Sequence, residues 1–165
     1  REEIAAVISD LSRAVAGQGA AIAGDPALIG AVIERSAVLA TEIPYYPSNS
    51  QITTELLDAA ELAHHSRSRA QRLAVKLAEG IRALGIAAYH SPAPIAAVPV
   101  RRVREAHALR DALRARGFLL DVVYPLIPRS ERAGVRALVS ARHSDVQIQE
   151  LLNAFDDLRT RLQWN

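Results

Sequence analysis

After Gly85 the sequence stops reading as one long helix and breaks into short pieces of alternating type. "IAAYHSPAPIAAVPV" is a set of β-like fragments punctuated by prolines, and "REAHALRDALRARG" is an amphipathic helix closed by Gly117. "FLLDVVY" follows as a strand, "PLIPRSERAG" as a loop and "VRALVSA" as another strand. The last helix opens at "SDVQ", where Ser144 and Gln147 have the capping-box spacing that lets each side chain satisfy a free backbone amide. The order β, α, β, β, α leaves few solutions. Strands with one apolar face and helices with one apolar stripe bury both by stacking, so an α/β sandwich is expected in which helices 104–116 and 145–162 cover a small sheet. Residues 119–124 and 135–141 carry the β-branched, apolar character of strands.

The first half reads differently. "AAVIS" at 5–9 and "AAIAG" at 20–24 have the length and apolarity of two buried strands joined by a glycine-containing turn. Asp25 followed by Pro26 starts a helix, because the carboxylate caps free amides and proline suits the first turn; its apolar face would be Leu28, Ile29, Val32 and Leu39. "TEIPYYPSNS" is a structured loop. From Gln51 to Ala83 one long helix is expected, with Leu56, Ala60, Ala63, Leu73, Leu77 and Ile81 near helical spacing, "HHSRSR" interrupting the stripe, and Gly85 as its stop. Three segments result: 1–50 with strands, helix and loop, 51–85 as a linking helix, and 86–165 as a small α/β domain. Two strands beside one long helix leave a sheet edge that nothing in the chain pairs, so a homo-oligomer or a hetero-subunit partner is expected.

Composition narrows the function. A chain of 165 residues is long enough to bury roughly two thirds of its unfolded surface without metal or disulfide help. There is no cysteine, which excludes thiolate nucleophiles and cysteine-based metal centres, and no 20-residue apolar span or basic-apolar leader pattern; a cytoplasmic location with no membrane span is expected. The net charge is +2, and Lys76 is the only lysine. The arginine runs "RSR", "RRVR" and "RAR" are scattered rather than gathered on an aromatic-rich face, so no nucleic-acid partner is expected. His64 and His65 have no third ligand at metal-binding spacing.

The stretch "PLIPRSERAGVRALVSARHS" carries the most chemistry. A proline-flanked loop delivers Arg129 and Arg132, and a strand then holds Arg136 among apolar neighbours. A charge there is costly unless it meets an anion, and the planar fork of arginine donates two parallel bonds to carboxylate or phosphate. A solvated arginine at a strand edge is the other reading.

In order along the chain stand "DLSRAVAGQG", "AGDPALI", "RSAVLATEIP", "SPAPIAAVPV", "YPLIPRSERAGVRALVSA" and "ARHSDVQIQELL". This series resembles the α-oxoamine synthases, pyridoxal-phosphate enzymes of the fold-type I aminotransferase superfamily that join an acyl-CoA to an amino acid with loss of carbon dioxide. The resemblance covers nearly the whole chain and implies the C-terminal portion of that fold: a small α/β domain joined by a long helix to strands of the large domain. By the resemblance, Arg136 matches the arginine that holds the amino-acid carboxylate, Thr41 the threonine that reaches the cofactor phosphate of a neighbouring subunit (or a loop cap), and His143 a structural histidine before the last helix. Arg13 stands where the family has its Schiff-base lysine, and a guanidinium stays protonated and offers no amine nucleophile. The part of the family that holds the cofactor ring precedes the matched region. The resemblance therefore implies no catalytic residue, no cofactor for the isolated chain, and pyridoxal phosphate only if a partner completes it. Two functions follow: a noncatalytic binding or structural partner, with a small anionic or acyl ligand as a further option, or the C-terminal half of a split acyltransferase.

Overall fold

The computed structural model describes residues 4–38, 47–126 and 131–159. The chain divides into two compact units, Arg1–Ala63 and His64–Asn165.

In the first unit, β1 (Ala6–Asp10) and β2 (Ala20–Gly24) pair antiparallel, from Ala6 opposite Gly24 to Asp10 opposite Ala20. A single-turn helix α1 (Leu11–Ala14) follows β1, and the Asp10 carboxylate caps it by accepting from the Ser12 amide at 2.8 Å and the Ser12 hydroxyl at 2.6 Å. The return to β2 passes through Ala16 and Gly19 with φ of 56° and 79°. As expected, Asp25 caps α2 (Pro26–Arg35), accepting from the amides of Ala27 and Leu28, with Pro26 in the first turn.

The strands are not buried, which corrects the expectation for 5–9 and 20–24: every residue of β2 is exposed, and of β1 only Ala6 is partly covered. Nor does α2 bury any residue, although Ile29 and Val32 are half-covered; Leu39 lies outside the described residues. Apolar content signals a strand that a full sheet would cover, and a two-stranded ribbon has no second layer to cover it.

The helical stretch expected over 51–83 is two helices. α3 (Pro47–Leu62) begins before Gln51, and α4 (His64–Ala83) follows after the single non-helical residue Ala63, whose amide is shared between the carbonyls of Ala59 and Ala60. The two differ in what they bury. α3 shelters only Thr53, whereas α4 buries Ala70, Leu73, Ala74, Leu77, Ala78 and Ile81 along one stripe. The break coincides with the boundary between the units.

The second unit holds a four-stranded antiparallel sheet in the order β3 (Tyr89–His90), β4 (Ile95–Val100), β6 (Ala133–Leu138), β5 (Asp121–Val123). The β-like pieces of 86–100 thus form two strands, and "FLLDVVY" contributes three residues to the sheet. One face carries α4, α5 (Val103–Arg114) and α6 (Asp145–Arg159), with Leu77, Ile81, Leu109, Leu113, Val135 and Phe155 fully buried between the layers. α4 and α6 approach closely at Gly80, where an added Cβ would stand 2.6 Å from a Leu152 methyl. Gly85 and Gly117 end α4 and α5 at φ of 78° and 89°, the left-handed region glycine enters without steric cost. The capping box at α6 is formed: the Ser144 amide donates to Gln147 at 2.9 Å and the Gln147 amide to the Ser144 hydroxyl at 3.1 Å.

Candidate functional site

β6 alternates as a half-covered strand must. Ala133, Val135 and Ala137 point into the core, so Gly134, Arg136 and Leu138 point to the opposite face of the sheet. Register places Arg136 opposite Ala97 of β4 and Asp121 of β5, and Ala97 opposite Tyr89 of β3, giving the row Tyr89, Ala97, Arg136, Asp121 across one face. Beside this row the space above Gly134 is filled by Leu126: a Cβ at Gly134 would meet its two methyls at 2.7 and 2.9 Å and the Val98 carbonyl oxygen at 2.8 Å.

The guanidinium of Arg136 is half satisfied. Its Nη2 donates to Oδ2 of Asp121 at 3.1 Å, with the two side chains 34% and 55% exposed. Its Nε is shut off from solvent and donates to no acceptor among the described residues. A desolvated donor without a partner costs roughly 1–3 kcal/mol. This arginine is therefore a strand residue with a spare buried donor rather than a fully solvated edge residue.

The other residues singled out in the sequence are dispersed. Arg13 belongs to α1, directly after β1, in the first unit. Thr41 and Arg129 lie outside the described residues. The Arg132 carbonyl accepts from the Leu126 amide at 2.9 Å, tying the two ends of the loop before β6. His143 is built into a turn: its Nδ1 accepts from the Ser140 amide at 3.0 Å, its own amide donates to the Ser140 carbonyl, and its carbonyl accepts from Arg69. His64 and His65 stack on each other with ring centroids 4.0 Å apart. Among the described residues no group of three or more His, Cys, Asp or Glu is placed to hold a metal ion.

Lys76 is committed elsewhere. Its ammonium lies 2.5 Å from Oδ1 of Asp145, joining α4 to the start of α6. The hydrogen bond from Lys76, and then its charge, hold the Asp145 carboxyl below its ordinary value. Beside it is a surface cavity of about 550 Å³ lined by Arg72, Lys76, Glu79 and His90 among others, a mixture of both charges that selects for neither.

Asp121 is the ion-pair partner of Arg136 that the sequence alone does not point to. The signal for it lay in pairing: two strands joined by a loop and paired antiparallel bring "DVV" against "GVR", and register then sets the carboxylate opposite the guanidinium.

No protein-family profile matches the chain. An 8-amino-7-oxononanoate synthase of Pseudomonas putida is 30% identical over 168 residues, covering 98% of this chain and 42% of that relative. The enzyme of the same name from Pseudomonas aeruginosa is 31% identical over 163 residues, covering 95% of this chain and 39% of the relative. Among solved structures, a serine palmitoyltransferase of Sphingomonas wittichii superposes with a TM-score of 0.78 at 18% identity, over 96% of this chain and 40% of that one. The 8-amino-7-oxononanoate synthase of Francisella tularensis superposes with a TM-score of 0.77 at 18% identity, over 93% of this chain and 45% of that one. The chain spans about 40% of the length of the curated relatives it matches.

The fold is that of the C-terminal part of fold-type I pyridoxal-phosphate transferases. In sequence and fold the chain is similar to the C-terminal portion of the α-oxoamine synthases. The residues described do not fit covalent attachment of pyridoxal phosphate. The group needs an amine, and the one lysine of this chain is ion-paired to Asp145 in the second unit, while an arginine stands in the "DLSRAVAGQG" segment. Among the described residues no helix is long and apolar enough to cross a membrane.

Proposed function

We propose that the chain is a noncatalytic α-oxoamine synthase-like polypeptide that acts as a binding or structural partner of another chain or domain. Arg13 carries this reading, since by the resemblance it stands at the position of the Schiff-base lysine, and its delocalised cation is no amine nucleophile. The exposed strands β1 and β2 support a partner, either a second copy or a larger subunit. Within this reading Arg136 is retained as a donor for a small anionic or acyl ligand. The test is to add pyridoxal phosphate to the purified chain, record the visible spectrum, fix any imine with borohydride and weigh the product. No internal-aldimine band and no stoichiometric adduct are expected. Turnover of an amino acid and an acyl-CoA by the chain alone would overturn the proposal.

A second reading is favoured by the spare Nε of Arg136: the chain is the C-terminal half of a split pyridoxal-phosphate-dependent acyl-CoA:amino acid C-acyltransferase. Arg136 would then orient the amino-acid carboxylate and Thr41 would reach the cofactor phosphate, while the amine and the ring-binding walls came from the other polypeptide. Decarboxylative condensation that appears only when both polypeptides are mixed, and is lost with Arg136→Ala, would decide for this reading.

A further inference from the structure

We infer that Asp121 is a built-in competitor for the anion-binding edge of Arg136, so that a carboxylate or phosphate engages this site only by displacing the protein's own carboxylate. The inference rests on the reading of Arg136 as an anion donor. A guanidinium presents Nε and Nη2 along one edge, and a bidentate anion needs both. In this chain Oδ2 of Asp121 already holds Nη2 at 3.1 Å, while Nε, the other half of the same edge, is buried and donates to nothing among the described residues.

The internal pair is thus monodentate. It neutralises the arginine without satisfying it, a compromise fixed by geometry: Asp121 sits directly across the ladder from Arg136, at the start of the edge strand β5. Displacement is easy, because the carboxylate is 55% exposed and exposed ion pairs contribute little net stability. A displaced Asp121 is rehydrated at once, but it remains close enough to repel an incoming negative charge. The outcome is a site that rejects weak or monodentate anions and admits one able to take both Nε and Nη2.

The test uses the full chain labelled with ¹⁵N-arginine and follows the Nε–H resonance of Arg136, assigned by its disappearance in Arg136→Lys, while sodium acetate is added at constant ionic strength. In Asp121→Asn, which keeps the side-chain size, acetate should bind about three- to tenfold more tightly than in the parent, the scale of an exposed pair together with the loss of a like charge. Asp121→Ser serves as a second variant should the asparagine form fold poorly. Equal affinities in parent and variants would overturn the inference and leave the anion reading of Arg136 standing, with the pair serving only strand pairing. A resonance that acetate moves in none of the proteins would overturn the anion reading itself, and the inference with it.

Discussion

Gly134 occupies a position where no side chain fits, and the misfit can be worked out before the experiment. An alanine methyl there would stand 2.8 Å from the Val98 carbonyl oxygen and 2.7 and 2.9 Å from the two methyls of Leu126. Leu126 can turn aside; the carbonyl cannot, because Val98 lies in the middle of β4, whose pairing with β6 runs from Ile95 opposite Leu138 to Val100 opposite Ala133. Relief therefore requires β4 and β6 to part locally, next to Arg136. Overpacking of this kind costs about 1–3 kcal/mol. Replacing a strand glycine by alanine returns about 0.5–1 kcal/mol through the lower entropy of the unfolded chain. Gly134→Ala should then destabilise the protein by a net of about 1.2 kcal/mol at the middle of the two ranges, lowering the urea midpoint by about 0.6 M for a slope near 2 kcal/mol/M. Combining it with Leu126→Ala should recover only the part of the loss due to the methyl contacts, because the carbonyl contact remains. A Gly134→Ala chain as stable as the parent would refute the reasoning, since it would mean that the sheet has room at this point.

Two further outcomes are expected, besides those for pyridoxal phosphate and for Asp121. Ser144→Ala removes the hydroxyl that accepts from the Gln147 amide and should cost about 1 kcal/mol in urea unfolding, with Ser144→Asp close to neutral; equal losses in both would show that the cap is not the cause. The Asp145 carboxyl is held below its ordinary value by Lys76, so its contribution is fully present above the ordinary carboxylate value, near about pH 3.9, and is lost as pH falls through its lowered folded value. Lys76→Ala should move the NMR titration midpoint of Asp145 upward and remove that part of the acid sensitivity; an unmoved midpoint would rule out the pairing.

The second unit was largely legible in the sequence because its signals are local and its core is its own. Gly85, Gly117 and the Ser144/Gln147 box mark helix ends by backbone chemistry that needs no distant partner, and all three act as expected. The apolar stripe of α4 from Ala70 to Ile81 meets a sheet formed by the same unit. Where burial had to be supplied from elsewhere, reading the sequence failed: β1 and β2 have the apolar content of buried strands and lie exposed. The break at Ala63 was hidden for a related reason. Leu56, Ala60 and Ala63 continue the spacing of Leu73 and Leu77 on paper, but only the later residues have a sheet to pack against. Arg136 was visible as a charged residue in an apolar strand, whereas its ion-pair partner depended on register across a loop, which no single segment encodes.

The exposed ribbon and the half-satisfied arginine differ in what their chemistry allows. An apolar strand cannot adapt: Ile8 remains 73% exposed because its chemistry offers only burial. An arginine can adapt, since a carboxylate from the neighbouring strand takes up part of its charge, and that is the arrangement Asp121 makes. Co-expression with a polypeptide that covers β1 and β2 should therefore suppress aggregation whether or not Arg136 is intact, and Asp121→Asn should alter ligand affinity whether or not the ribbon is covered. If covering the ribbon altered ligand affinity, or Asp121→Asn altered aggregation, the ribbon and the arginine would be coupled, and their separation would fail.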